Sequence, residues 1–478
     1  MTSSTPRPST AQPHVLLLHC HDLGRHLGCY GARTVSAPRL DALAAESVVA
    51  EQMFCSAPQC SPSRASMFTG RWPHSNGVLG LTHDGFGWDL NADERHLADR
   101  LGAAGYRSEL IGMHHESARI SDQQVAERLG FDRVQTGGSD REVVERAKQA
   151  MDRLASSTGS DPSTGPFYLQ VGFSAPHRAP GARDAPGVMG FLGNHIEPDD
   201  SLGVEVPRYL ADTDSAREEI AELQGAIAHM DDCVGQVLDE LDRRGLTDNT
   251  ITIFVTDHGL ALPRSKCSLY DPGMEIAFLI RWPDRGWTGG RLDEVLLNLD
   301  IVPTLLDALG LAEQPEQSAG PPLQGRSFRP LLDGDRDALD ERSEIFGEIT
   351  YHDYYDPRRS IRTDRHKLIV NFSSAPTFMD PSQGWVRRCV PVAAPGEPDG
   401  RGNLGSHPAV ELYDLAADPL ELTDLAADPE HATVRDDLLG RLTRWMTDTG
   451  DPLLDGAVTS PLHRRSLEML RQPEALPR

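Results

Sequence analysis

The chain has 478 residues, of which 38% are hydrophobic and 25% charged, the make-up of a globular enzyme rather than a fibrous or disordered protein. That length exceeds what one core usually organises, so two domains are expected. A formal net charge of −26 excludes nucleic acid as a partner and disfavours a long polyanion lying across the surface, since both require basic residues to neutralise them. A small anion, or one end of a larger one, entering a locally basic pocket stays open.

In chain order, residues 1–13 are polar and proline-rich and read as a disordered N-terminus. The "VLLLHC" that follows is too short and too quickly polar for a signal or membrane segment. The seven cysteines (Cys20, Cys29, Cys55, Cys60, Cys233, Cys267 and Cys389) are scattered, odd in number and without a CxxC pair. That pattern suits a reducing compartment, and the cytoplasm is the expected location, with no membrane involvement. "HVLLLHC" reads as a buried strand ending in polar residues, "RLDALAAESVVAEQMF" as helix then strand, and "RHLADRLGAAGYRSELIG" as helix, glycine stop and strand. A loop at 156–165 precedes the strand in "PFYLQVGFSAPH", and residues 179–215 form a long irregular excursion over a site. The amphipathic helix "REEIAELQGAIAHMDDCVGQVLDELDRRGL" feeds "TITIFVTDHG", a second apolar strand with a polar end, and "NLDIVPTLLDALGL" is a further helix. After "PLLDGDRD" the strands shorten. The expected fold is therefore α/β: a large mixed, mostly parallel sheet sandwiched by helices over 14–340, a smaller antiparallel-sheet domain over 341–450, and a tail over 451–478.

The stretch "SAPQCSPSRASMFTGRWPHS" (56–75) places Cys60 at a helix start, with Ser61 as cap, Pro62 in the first helical position and Gly70 as the stop. Unpaired N–H groups and the helix dipole favour an anion there and depress a thiol pKa. A buried structural cysteine is the plain alternative. A cysteine-dependent phosphatase does not fit, because only Ser61-Pro62-Ser63 separates Cys60 from Arg64 and no glycine is among them.

Three apolar strands end in His21-Asp22, His177 and Asp257-His258. Taken singly, such residues are ordinary turn formers. A parallel sheet gathers its C-terminal ends along one edge, so together they can build a carboxylate-and-imidazole site for a divalent cation beside the helix start.

These motifs, taken in order, resemble the formylglycine-dependent sulfatase family of the alkaline phosphatase superfamily. "CSPSR" matches the signature whose cysteine is oxidised to formylglycine. "LLLHCHDLGRHLGCYG", "GYRSELIGMHH", "SAPHR", "TDHG", "IVPTLLDALGL" and "ELYDLAADPLELTDLA" resemble the family's later landmarks. Within the family, "DHGLALPRSKCSLY" and "TYHDYYDPRRSIRT" look most like the N-sulfoglucosamine sulfohydrolase branch.

The resemblance implies an alkaline-phosphatase-like fold and a hydrolase for a sulfamate or sulfate ester on a small sugar. It also implies a formylglycine-generating enzyme as maturation partner. Cys60, once converted, would supply a hydrated aldehyde whose one hydroxyl attacks sulfur while the other expels sulfate. Asp22, Asp257 and His258 would hold Ca²⁺ or another divalent cation, with residue 60 as a further ligand. Arg64 would stabilise the ionised diol and Lys266 would bind a sulfate oxygen. His177 would protonate the leaving atom, and His115 would deprotonate the second hydroxyl.

Two positions depart from the family. His21 stands where an aspartate is usual, which leaves two carboxylates instead of three, weakens a hard Ca²⁺ site and opens it to a softer metal. His21 is either a ligand itself or a support for one. Met113 stands where a lysine is usual, with His114 and Arg178 the nearest candidates to replace it. The basic run at 352–367 is either a solvated strand edge or a pocket wall in which His352, Arg358 or Arg359 meets an anionic sugar. His74 and the His83-Asp84 pair are candidates of the same kind. Two other functions compete. One is a phosphonate monoester hydrolase or phosphodiesterase on the same fold; the other is a non-catalytic binding protein with Cys60 unmodified.

Overall fold

The computed structural model describes residues 12–471 apart from 84, 119, 156–164, 183–184, 192–195, 313–319, 340, 375–391 and 396–405. The expected disorder at 1–11, the loop at 156–164, Asp84 and Cys389 lie outside the described residues.

The larger sheet is built from β1 (His14–Cys20), β2 (Val48–Phe54), β3 (Arg107–Gly112), β4 (Arg133–Thr136) and β5 (Phe167–Gly172). Past a hairpin of β6 (Ala179–Ala182) and β7 (Ala185–Gly190), it is completed by β8 (Thr250–Thr256), β9 (Phe278–Arg281) and β10 (Arg291–Leu297). The hairpin lies inside the stretch expected to be irregular. The spatial order is β10-β2-β9-β8-β1-β5-β3-β4. Every pairing is parallel except the two that β9 makes with β2 and β8.

Every residue of β1 and β8 is buried, as their continuous apolar character requires of central strands covered on both faces. Alternate residues serve opposite cores. Leu16, Leu18 and Phe254 pack with the helices α1 (Pro38–Ala45), α3 (Asp140–Ala155) and α4 (Asp214–Arg243). Val15, Leu17 and Ile253 pack on the other face, with α2 (Cys60–Thr69).

The smaller sheet is antiparallel, in the order β11 (Glu344–Tyr351), β12 (Tyr355–Thr363), β13 (His366–Asn371) and β14 (Val410–Asp414). Its residues Ile345, Leu368 and Leu412 join the same core as Val15 and Leu17, so the two sheets share one apolar interior. The helix α5 (Ala432–Thr449) closes that interior, with Trp445 stacked on Phe346 at 4.8 Å between ring centroids. Beyond residue 450, residues 461–471 are helical.

Register fixes where the chemistry falls. Cys20 of β1 pairs with Thr256 of β8, so His21-Asp22 and Asp257-His258 leave the sheet side by side. His19 pairs with Gly172 and Gly172 with Gly112, which brings the segments carrying His177 and His115 to the same edge.

Candidate active site

Helix α2 begins at Cys60, with Gln59 at its cap position and no side-chain cap bond. This corrects the expected start, which put Ser61 at the cap and Pro62 first. The Ser61 hydroxyl is engaged elsewhere: it accepts from Thr82 N at 3.2 Å and lies 3.3 Å from Thr82 Oγ1. Pro62 still falls in the first turn, where its missing N–H costs nothing. Gly70 ends the helix as expected, in a left-handed conformation at φ 70° with its N–H on Ser66 O.

Around Cys60 the two strand ends interlock. Asp257 Oδ1 accepts the backbone N–H of both Asp22 and His258 at 3.0 Å. Asp22 takes a left-handed φ of 53°, rare outside glycine but tolerated by aspartate, and this turns its amide to that oxygen. Cys60 Sγ lies 3.3 Å from His258 Nε2 and 3.8 Å from Asp22 Oδ1. His258 Nε2 is 3.3 Å from Asp22 Oδ1 and 3.6 Å from Asp257 Oδ2. His21 Nδ1 approaches the same two oxygens, at 3.7 and 3.2 Å.

Asp22, Cys60, Asp257 and His258 can each present a ligand atom with all four within 4.8 Å of one another, and so can His21, Asp22, Cys60 and His177. His21 is fully buried, with Nδ1 3.2 Å from Asp257 Oδ2 and no hydrogen-bond partner for Nε2 among the described residues. Two buried carboxylates, an imidazole and Cys60 gathered within 4.8 Å are a donor set that a divalent cation would satisfy, so the residues present fit one.

Positive groups meet these carboxylates from three sides. Arg64, fully buried, donates to Asp257 Oδ2 at 3.0 Å, to Cys20 O at 2.6 Å and toward His19 Nδ1 at 2.5 Å. Lys266 Nζ sits 2.8 Å from Asp22 Oδ2, and His177 Nε2 3.7 Å from the same oxygen. Lys266 is presented by a tight loop: Gly259 lets Pro272 O come where a Cβ would stand 1.9 Å away. Arg264 and Cys267 in that loop both hold left-handed φ values of 62°, conformations that persist only where surrounding structure enforces them.

Burial pushes the Cys60 thiol pKa up, but Lys266, His258, His21 and a hydrogen bond with His115 more than reverse this and hold it well below its ordinary value. Burial likewise opposes ionisation of Asp22, yet Lys266 and His177 keep it a strong acid. For His21, burial and Arg64 favour the neutral ring, while Asp257 and Cys60 overcome them and raise its pKa to about 10.

The remaining expected residues divide. His115 is buried and reaches Cys60, with its ring edge-on to His21 at 5.1 Å. His177 is the more open of the pair, its side chain 28% exposed and its ring 4.9 Å from His21, which puts it at the mouth. His352 comes from the smaller sheet's β11–β12 turn and lies in hydrogen-bond reach of Cys60 and Cys267, with Nδ1 on Asp353 at 2.9 Å. His83 stacks on His115 at 5.9 Å.

Arg358 and Arg359 do not accompany His352. Arg358 is buried against Asp356. Arg359, 0% exposed, is held by Asp451, by Glu348 at 3.3 Å and by Ile349 O at 2.8 Å, and His74 bonds the same Glu348 at 3.0 Å. Strand β12 is covered on both faces, so its arginines turn into the body of the protein rather than toward a pocket. Arg359→Met is accordingly expected to destabilise the fold by about 3–5 kcal/mol, because two buried carboxylates lose their cation. Chemical denaturation checks this. Arg178 is committed to Glu219 at 2.9 Å and Ala261 O, and His114 to Ser117 Oγ at 2.9 Å. Neither simply takes the place of the lysine that Met113 replaces.

Several supporting residues escape sequence reasoning. His19, which receives Arg64, lies 3.3 Å from the Gln170 amide, which donates to the fully buried Glu116 at 3.0 Å. Glu116 also accepts the His115 amide at 2.8 Å, fixing that backbone. Asp140 accepts from Ser174 N and Ala175 N at 2.7 and 3.0 Å and so anchors the loop that carries His177. Asn298 donates to Ser63, whose hydroxyl donates to Asp257 O. A lone polar residue within an apolar strand was the only signal for His19 and Gln170.

Comparison with known proteins places the chain in a family. A family model described as Sulfatase matches residues 13–311, and one described as N-sulphoglucosamine sulphohydrolase, C-terminal, matches 261–380. The chain is 29% identical to the human N-sulphoglucosamine sulphohydrolase over 92% of its own length and 91% of that protein's. It is 26% identical to an ulvan-active sulfatase of Formosa agariphila, covering 92% and 76%. Among solved structures, a 2-O GAG sulfatase aligns with a TM-score of 0.66 at 21% identity, covering 94% of both chains. A protein solved with its substrate D-glucosamine-2-N,6-O-disulfate aligns at 0.61 and 16%, covering 92% and 98%. No helix among the described residues is long and apolar enough to cross a membrane. With the family model covering well over half its length, the chain belongs to the sulfatase family and is a hydrolase of sulfuric esters or sulfamates.

Proposed function

We propose that the chain removes sulfate from an N-sulfated or O-sulfated small sugar, using a formylglycine made from Cys60 and a divalent cation at Asp22, Asp257, His258 and His21. The observation that carries this is the register that brings both carboxylate–imidazole strand ends onto Cys60 at a helix N-terminus. The cation, when bound, supplies Lewis-acid polarisation of sulfate and of the nucleophilic oxygen. The hydrated aldehyde supplies two hydroxyls on one carbon, one to attack sulfur and one to release sulfate.

This chain's own residues do the rest. Arg64, fixed by His19 and Asp257, keeps positive charge beside residue 60 and favours its ionised form. Lys266 is placed to leave Asp22 for a sulfate oxygen as charge spreads in the transition state. His115 is within reach of residue 60 to take the proton of the second hydroxyl. His352, from the other sheet, contacts residue 60 from the substrate side and is the sugar-recognising residue retained from the basic run. The resemblance of residues 261–380 to the N-sulphoglucosamine sulphohydrolase C-terminal region supports an amino sugar. A cytoplasmic location and maturation there by a formylglycine-generating enzyme complete the reading; the six cysteines among the described residues are all unpaired.

His177 gives the sharpest test of leaving-group chemistry. An amine or alkoxide must be protonated as it departs, whereas nitrophenolate leaves as a stable anion. A general acid contributes about 10²–10⁴-fold where that proton is needed. His177→Ala should therefore cripple kcat/KM on N-sulfoglucosamine or an alkyl sulfate far more than on nitrophenyl sulfate. Equal, modest losses on both would remove His177 from the proton transfer. Sulfate release measured across N-sulfated, O-sulfated and aryl phosphonate substrates tests the overall reading, and a preference for the phosphonate would overturn it.

A further inference from the structure

Resting on the reading in which Lys266 binds a sulfate oxygen, we infer that Arg264 and Glu421 are positioning residues for Lys266. The turn that follows β14 grips the Lys266 loop and sets where its ammonium group stands.

The loop leaves β8 at Thr256, passes through the single helical turn Asp271–Met274 and re-enters the same sheet at β9. Both of its ends therefore belong to the larger sheet, yet Lys266 is held from the smaller one. Two residues before Lys266, the Arg264 guanidinium donates to Leu420 O at 2.8 Å and to Glu421 O at 2.7 Å. Five residues after it, the Asp271 N–H donates to Glu421 Oε2 at 2.7 Å. Glu421 thus meets the loop on both sides of Lys266, with its carbonyl on one and its carboxylate on the other.

This grip is buried. Arg264 is 8% exposed and Glu421 1%, so these bonds cannot readily be exchanged for bonds to water. The Arg264 guanidinium lies 4.1 Å from the centre of the Tyr270 ring, whose hydroxyl donates to Glu411 of β14 at 2.8 Å. Lys367 of β13 stands 2.7 Å from Glu421 Oε1 and fixes that carboxylate in turn. On the other side of the loop, the Cys267 N–H donates to Pro58 O at 2.9 Å, two residues before Cys60. Lys266 is therefore presented from a segment pinned between the start of α2 and the Glu421 turn, and it reaches Asp22 Oδ2 at 2.8 Å.

Backbone conformation points the same way. Among the described residues, four other than glycine hold a left-handed φ: Asp22, Arg264, Cys267 and Glu421. They are the carboxylate that Lys266 meets, two members of its loop, and the residue that grips the loop. Such conformations persist where surrounding contacts enforce them, and they gather at functional sites. Joining the two sheets does not by itself require them, because Arg362 of β12 already bonds Asp271 at 2.9 Å.

The test is a double-mutant cycle on the active, full-length enzyme. It reads kcat/KM for a sulfated sugar and the inhibition constant of inorganic sulfate, with thermal melting as a check on the fold. Lys266→Met should lower the first and raise the second by at least about tenfold, the scale of one charge-assisted hydrogen bond. Arg264→Met should move both the same way by at least about fivefold, and by less than about twofold in the Lys266→Met background, because it acts through that lysine. Glu421→Ala should behave as Arg264→Met does. Arg264→Lys keeps the charge and can hold one of the two carbonyls; it should show an intermediate loss, and it carries the cycle if Arg264→Met does not fold. An Arg264 effect of equal size in both backgrounds, or a lower melting temperature with sulfate inhibition unchanged, overturns the inference and leaves only a staple between the sheets. Unaltered kinetics in Lys266→Met would instead overturn the assignment of Lys266 to sulfate, on which the inference rests.

Discussion

Cys60→Ala is expected to lower kcat/KM for a sulfated sugar by at least about 10³-fold, the scale of loss when a covalent nucleophile is deleted. No neighbour can take over. Ser61 is tied to Thr82, and the Ser63 hydroxyl donates to the Asp257 carbonyl at 2.5 Å, so the two nearest hydroxyls are both engaged away from the cage. The substitution removes one sulfur atom from a nearly buried site, so its melting temperature should change little relative to the activity loss. Cys60→Ser separates the two roles assigned to residue 60. It supplies one hydroxyl and lacks the second, and it should show no multiple turnover even where a single sulfate transfer occurs. Steady-state and single-turnover sulfate release together check both variants.

Asp257→Asn is expected to abolish turnover and metal binding together, and to lower stability less than Asp257→Ala does. The neutral amide keeps an oxygen for the N–H groups of Asp22 and His258, so the crossing of the two strand ends survives. What disappears is the charge that Oδ2 offers to Arg64, His21 and His258. Burial favours the protonated acid at this position, and His258, Arg64 and His21 together hold Asp257 ionised far below the ordinary carboxylate range. Removing it leaves three cationic or cation-seeking groups without a counter-charge, and a divalent ion can no longer join them. Activity should fall by at least about 10³-fold, on the scale of other losses of an essential group. Stoichiometric metal in a folded Asp257→Asn protein would contradict the ligand assignment. Asp257→Ala is the harsher variant, because it also orphans two buried amides, and it is expected to lose stability as well.

Much of this site was legible in the sequence, for a physical reason. Central parallel strands are largely apolar, so the polar pairs that follow "VLLLHC" and "TITIFVT" mark the sheet's C-terminal edge, and register then brings His21-Asp22 and Asp257-His258 together. Pro62 and Gly70 bracket α2 in the same local way, although the Ser61 hydroxyl, drawn to Thr82, moves the helix start to Cys60.

Long-range polar pairing was not legible. Glu116, Gln170 and His19 meet from three separate segments, and nothing near any of them announces the other two. Arg359 is the converse case. A basic run reads as a surface, but β12 lies between β11 and β13 under α5, and Asp451, ninety-two residues away, turns the arginine inward. Only His352 of that run reaches Cys60, because it sits in the turn and not in the covered strand.

The conversion of Cys60 bears most directly on the whole account, and trypsin isolates it in the peptide Leu40–Arg64. Mass spectrometry of that peptide from catalytically active protein should show residue 60 lighter than cysteine by the difference between a thiol and an aldehyde. The converted fraction should rise in step with specific activity across preparations. Fully active protein in which residue 60 remains entirely a thiol would contradict the account.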